Sequence, residues 1–182
     1  MLTEGENTLE IDNKWPEIAI FQTKKYRNAR VEAHNALFWM ARASHSFLDP
    51  TLGNSHLSLF WNEDHCDFRT RLLVDGCQIG LHLPDLELYF CDHGEKVPHS
   101  FWLDDRTPAF IEAWYLVEFL HRDIEQGKFS TALPFESPDM LMGDTEDHNA
   151  SLFKTELTGM SECLIGAINI LKIVADQLAR HK

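Results

Sequence analysis

Two short stretches carry the side chains best suited to hold a metal. Asp64-His65-Cys66-Asp67 and Cys91-Asp92-His93 each combine imidazole, thiol and carboxylate, a donor set that suits zinc or another borderline ion. Both read as turns or strand ends. If the intervening strands return the chain to the same end of a sheet, His65, Asp67, Cys91 and His93 form a candidate metal site. Successive strand residues point to opposite faces, so His65 and Cys66 serve one ion only across a turn. The plainer reading is a pair of polar turns, because Asp and Asn favour turns for backbone reasons alone. His34, His56 and His148 are a second candidate set for a metal-dependent enzyme.

Other constellations are weaker. His34 and His45 lie eleven residues apart, about 16 Å along a helix axis, too far to share an ion. His34, with Phe38 and strand aromatics, is a candidate lining of a pocket between helix and sheet; the alternative is a core histidine bonded to backbone. Arg69 and Arg71 are two apart on an expected strand, a spacing that can clamp a carboxylate or phosphate or simply make an exposed face. No GxSxG elbow, GxxxxGK[ST] loop or GxGxxG turn occurs, so no triad and no phosphate-cradling loop is indicated. No reaction and no cofactor is assigned by these motifs.

Charge and location narrow the classes. Of 182 residues, 16 are Lys or Arg and 29 are Asp or Glu, a net charge of −13. That balance argues against nucleic acid, whose binding rests on clustered cations, and favours a basic protein partner if charge steers association. The acids concentrate in Glu4, Glu6, Glu10 and Asp12, and again from Glu136 to Asp147. No signal-like segment opens the chain and no unbroken run of 18 apolar residues appears. A cytoplasmic protein off the membrane, with Cys66, Cys77, Cys91 and Cys163 reduced, is expected.

The elements that position these side chains follow from periodicity. Residues 1–23 read as a loose tail docking through Trp15 and Phe21, and 24–182 as a single domain. Residues 24–48 carry a helical repeat, with Ala33, Leu37, Met40, Ser44 and Phe47 on one stripe. Arg30, Glu32, Asn35, Arg42 and Ser46 take the polar side. Short strands follow at 56–61, 67–74, 77–83, 86–91 and 97–103, with Asp75-Gly76 as a tight hairpin turn. Thr107-Pro108 starts a second helix, with Phe110, Ala113, Trp114, Val117, Leu120, His121 and Ile124 as its buried stripe and Gly127 as its C-cap. Residues 128–149 form a long connection that is either functional or wraps the surface. A last apolar helix runs from 151 to 180, with Thr158-Gly159 as a candidate break. The expected fold class is α+β: an antiparallel meander of four or five strands packed with an N-terminal helix and two C-terminal helices.

Val31-Glu-Ala-His-Asn-Ala-Leu, Asn54-Ser-His-Leu-Ser-Leu, Leu83-Pro-Asp-Leu-Glu-Leu and Ala132-Leu-Pro-Phe-Glu-Ser-Pro-Asp occur in that order. Over about residues 25–155 this resembles an uncharacterised bacterial family, a domain of unknown function. The resemblance implies a shared ligand or partner surface near His34, Asn35 and His56 and near Asp147-His148-Asn149, and carries no catalytic role. The adjacent pairs Phe60-Trp61, Phe101-Trp102 and Trp114-Tyr115 send one ring to each side of their elements. Exposed aromatics and an apolar last helix together suggest an interaction module that assembles as a homodimer.

Overall fold

The computed structural model describes residues 21–180. The expected tail through Trp15 therefore lies outside the described residues, apart from Phe21, whose ring meets Tyr26 edge-on at 4.8 Å. Helix α1 spans Lys24–Phe47 and is capped by the Thr23 hydroxyl, which accepts from the Tyr26 backbone N–H. Its inner face carries Ala29, Ala33, Ala36, Met40 and Ala43, all buried. Alternating steps of four and three keep these small side chains on one stripe, so α1 lies close against the sheet.

The sheet is antiparallel with six strands: β1 (Phe60–Asn62), β2 (Asp67–Arg69), β3 (Cys77–His82), β4 (Glu87–Asp92), β5 (Glu95–Lys96) and β6 (Phe101–Trp102). Their order is β1-β2-β3-β4-β5, and β6 also pairs with β4. β5 covers one end of β4's outer edge at Cys91 and Asp92, while β6 covers the other at Glu87 and Leu88. The β2–β3 turn passes through Asp75 (φ 51°) and Gly76 (φ 78°), the backbone conformation that Asp-Gly supplies at little steric cost. The expected strand at 56–61 is shorter, because Leu52–Leu57 forms an irregular turn before β1.

Period-two alternation sorts the sheet into two faces. Phe68, Ile79, Leu81, Leu88 and Phe90 point to the helices and join the core. Helix α2 (Pro108–His121) starts as expected at Thr107 and Pro108. Its buried stripe is different from the expected one: Ile111, Tyr115, Glu118 and Phe119 face inward, while Phe110, Val117 and Leu120 are exposed. The segment Phe110-Ile-Glu-Ala-Trp-Tyr-Leu-Val-Glu-Phe-Leu is apolar nearly all round, so tertiary packing rather than pattern chooses its phase. Tyr115 and Phe119 lock into Phe90, Phe129 and Trp39 by ring contacts at 5.2–6.0 Å. The helix closes at Arg122 with Asp123 at φ 55°, not at Gly127.

Helix α3 (Lys154–Arg180) runs without a break, and buried Gly159 and Ser161 lie on its packed face. Beyond Gly166 it is mostly exposed, Leu171, Val174 and Leu178 included, although Lys172 still reaches Glu63 of the β1–β2 turn. With its lead-in turn, Ser151–Arg180 is long and apolar enough by length and composition to cross a membrane, and 22% of its most apolar 18-residue window is buried in the fold. The four cysteines are free thiols.

The long connection is ordered and straps the supposedly polar side of α1. The Asn35 amide donates to the Asp139 carbonyl and accepts from the Leu141 N–H, both at 2.8 Å. Arg42 donates to the Thr131 carbonyl at 2.9 Å, and His148 meets Glu32 at 2.8 Å. Asn35 and Arg42 are consequently buried.

Candidate functional site

The sheet face turned away from the core carries a polar constellation drawn from strands β1 to β5. Register places Asp67, His82 and Glu87 in one cross-strand row, and Arg69, Gly80 and Tyr89 in the next. Asn62 stands opposite Asp67, and Lys96 opposite Cys91. With His65, Asp85 and the β4–β5 turn they enclose a basin of about 550 Å³, within the size range of small-molecule sites.

Its floor is built around one carboxylate. Asp67 is 1% exposed, a costly place for a charge unless each oxygen is bonded. The Tyr89 hydroxyl donates to Oδ2, and Arg69 donates to both oxygens at 3.3 Å. Arg69 also reaches the Gly94 carbonyl at 3.3 Å, tying the floor to the β4–β5 turn. Tyr89 can lie flat across β3 only because residue 80 has no side chain: an added Cβ would sit 2.6 Å from the phenol oxygen and nearer still to the ring. Burial, then the bond to Asp67, pushes the Tyr89 phenol well above its ordinary value, so it stays a proton donor. Burial works against the Arg69 charge, but the Asp67 hydrogen bond and charge outweigh it and raise its pKa.

The rim is amphoteric. The Lys96 ammonium lies 4.4 Å from the Tyr89 ring centroid and 2.8 Å from Glu87. His82 pairs with Asp85 at 3.0 Å, and Asp85 also takes Lys154. Burial lowers the pKa of His82, which favours the neutral imidazole. Two lining cations, Arg69 and Lys96, with Lys154 on Asp85 from outside the lining, face four carboxylates, Asp67, Asp85, Glu87 and Glu95, so the basin keeps a small excess of negative charge.

The sequence candidates are dispersed around this arrangement. Asp67, Arg69 and His65 line the basin. Cys91 is buried on the same sheet face, and burial raises its thiol pKa. His93 is not with them. Three strands, β2, β3 and β4, separate the two turns, and an odd number puts them at opposite ends; six residues of β4 alone span roughly 16 Å. The four metal candidates therefore do not gather. Arg71 lies beyond β2, donating to the Ser55 carbonyl at 3.1 Å, so it does not clamp a ligand together with Arg69.

The second histidine set does not gather either. His34 lines a separate apolar groove with Tyr26, Leu83 and Cys163; burial, then Arg30, lowers its pKa. Phe38 packs on Phe135 of the strap at 5.5 Å. His56 is buried, with its Nε2 3.5 Å from His45 Nδ1 and its backbone N–H bonded to Thr51. His148 is fully buried against Glu32, and exposed Asn149 bonds the Asp147 carbonyl. Among the described residues, the group that brings three such donors within 4.8 Å is His99, Glu118 and His121.

Sequence reasoning named Asp67 and Arg69 but missed Gly80, Tyr89, Glu87 and Lys96. Their contribution depends on cross-strand register. A glycine opposite a tyrosine in adjacent strands was the available signal. Comparison with known proteins adds no constraint: no family model, curated protein or solved structure matches the chain.

Proposed function

We propose that this chain is a binding module whose seat is the open face of the sheet, and that the seat takes a small polar solute bearing an ammonium or guanidinium group. The observation that carries this reading is Lys96. Its own ammonium rests over the Tyr89 ring and against Glu87, which is the pairing a cationic ligand would use, an aromatic face plus a carboxylate. Lys96 is on a two-residue edge strand and its side chain is 44% exposed, so it can swing out and yield the position. The Asp67–Tyr89–Arg69 floor is pre-organised and needs no rearrangement to receive a ligand. The acidic balance of the basin favours cations.

The test is calorimetry and thermal shift with arginine, a linear polyamine and matched carboxylic acids. Amines are expected to raise Tm and acids are not, with Glu87→Gln weakening amine binding and Lys96→Ala strengthening it. Absence of any amine-dependent shift, or unchanged amine binding in Glu87→Gln, overturns the reading. The same module reading keeps the proposed membership of the bacterial family that residues 25–155 resemble, supported by the order of helix, antiparallel block, helix, strap and last helix.

A homodimer is proposed alongside it, supported by α3. Leu164, Ile168, Leu171, Ala175 and Leu178 follow steps of four, three, four and three, the seam that pairs one helix with another. Leu171 and Leu178 on that seam are 66% and 64% exposed. Light scattering is expected to give twice the chain mass, and Leu171→Glu/Leu178→Glu the single mass. A monomeric wild type that partitions into lipid vesicles would instead assign α3 to a membrane.

A further inference from the structure

On the helix side of the molecule a different set of donors converges. Glu118 lies on the inner face of α2 and is 3% exposed. Its Oε2 takes the Arg122 guanidinium at 2.7 Å, and Arg122 also donates to the Glu118 backbone carbonyl at 2.9 Å. Arg122 is in turn fixed over the Phe90 ring at 4.2 Å and beside Asp92 at 3.4 Å. One carboxylate oxygen is thereby committed and the other, Oε1, is aimed outward.

What Oε1 meets is two imidazoles. His121 Nδ1 stands 3.6 Å away, one turn along α2, and His99 Nδ1 stands 4.0 Å away on the loop before β6. Both separations are too long for hydrogen bonds. They are close to the edge of a metal tetrahedron: bonds of about 2.0–2.1 Å put neighbouring ligand atoms about 3.3–3.4 Å apart. One donor atom from each of the three residues lies within 4.8 Å of the others. The two side chains that must move to close the set are 72% and 55% exposed and free to turn, while the buried carboxylate is fixed.

His99 is not a loose loop residue. It holds a left-handed backbone (φ 75°), uncommon for a residue with a side chain. Its carbonyl accepts from the Trp114 indole N–H at 3.2 Å, which ties the loop to α2 one turn before Glu118. The loop is thus held where its imidazole faces the helix pair.

We propose that His99, Glu118 and His121 bind one divalent first-row transition ion, with zinc as the type case. Two imidazole nitrogens and one carboxylate oxygen suit zinc, nickel, copper or iron(II), and not magnesium or calcium, which take oxygen ligands. Arg122 keeps Glu118 monodentate and oriented, the outer-shell contact that such ligands ordinarily have. Three protein ligands leave a coordination position for exchangeable water. His121 and Arg122 also line a neighbouring cavity of about 300 Å³ together with Asp92 and His93.

The experiment titrates zinc into the full chain by calorimetry and follows cobalt(II) by its visible absorption, with magnesium as the counter-ion control. Wild type is expected to bind one zinc ion and to give cobalt bands of a low-coordinate N/O site. His99→Ala/His121→Ala should lose at least about tenfold in affinity together with the cobalt bands. Glu118→Gln should lose a similar amount, and His34→Ala, outside the cluster, should bind as wild type. The exposed imidazoles leave the double variant folded, checked by its thermal melt. Zinc affinity unchanged in the folded double variant, or equal binding of magnesium and zinc, overturns the proposal.

Discussion

Gly80→Ala tests whether the floor of the basin is held by the tyrosine–carboxylate latch. The added methyl would lie 2.6 Å from the Tyr89 oxygen and nearer to the ring carbons, where ordinary contact begins near 3.4 Å. Tyr89 is 3% exposed, so its ring has nowhere to retreat without lifting off Asp67. Overpacking of this kind costs about 1–3 kcal/mol. Losing the phenol's hydrogen bond to a buried carboxylate adds about 1.5–3 kcal/mol. The sum, about 2.5–6 kcal/mol, is a large share of the 5–15 kcal/mol that holds an ordinary domain together. For a chain this long it lowers Tm by about 5–24 °C. Urea unfolding measures it, with two comparators. Tyr89→Phe removes only the hydroxyl and should cost about 1.5–3 kcal/mol. In a Tyr89→Ala background the ring is gone, so Gly80→Ala should cost under about 1 kcal/mol. A Gly80→Ala cost under about 1 kcal/mol in wild type, or one as large in Tyr89→Ala as in wild type, refutes the reasoning.

Asn35→Ala strands the Leu141 N–H and the Asp139 carbonyl, costs about 2–4 kcal/mol, and should speed limited proteolysis within residues 130–145; unchanged cleavage would count against the strap's anchor. Burial lowers the pKa of His34 and His82 below 6.5, so the unfolded chain binds more protons as pH falls through that value. Stability is therefore expected to drop between about pH 7 and pH 5, seen as a lower urea midpoint, with His34→Asn/His82→Asn flattening the slope. Burial pushes the Cys77 thiol up to about 12 and raises Cys91 as well. In native protein near pH 8 both should resist a disulfide-exchange reagent that reaches half-exposed Cys66 and Cys163; four equally fast thiols would contradict that packing.

Legibility in the sequence followed locality. The limits of α1, the Asp75-Gly76 turn and the Thr107-Pro108 start rest on a few adjacent residues, and each is where the local chemistry puts it. The α+β class was legible for the same reason. The phase of α2 was not, because a helix apolar on most sides offers no stripe to read. Asn35 and Arg42 look like surface residues from periodicity, and only a segment about a hundred positions away makes them interior. Asp67 was named as a metal donor in a turn and Arg69 from its strand spacing with Arg71, but Tyr89 and Gly80 join them through register. Glu118 and His121 sit at a helical spacing visible in the chain, whereas His99 comes from another element.

The strap over α1 also sets an order of events in folding. Its anchors join residues separated by 89, 104 and 116 positions in the chain, and the whole sheet and all of α2 lie inside the loops they close. Such closures carry their entropy cost before any contact rewards them. Asn35 is therefore expected to meet its partners after the hairpins and α2 have formed, and the strap is expected to dock late in refolding and to open before the sheet. Substitutions at Asn35 and Arg42 accordingly act on the unfolding rate and leave the refolding rate nearly unchanged.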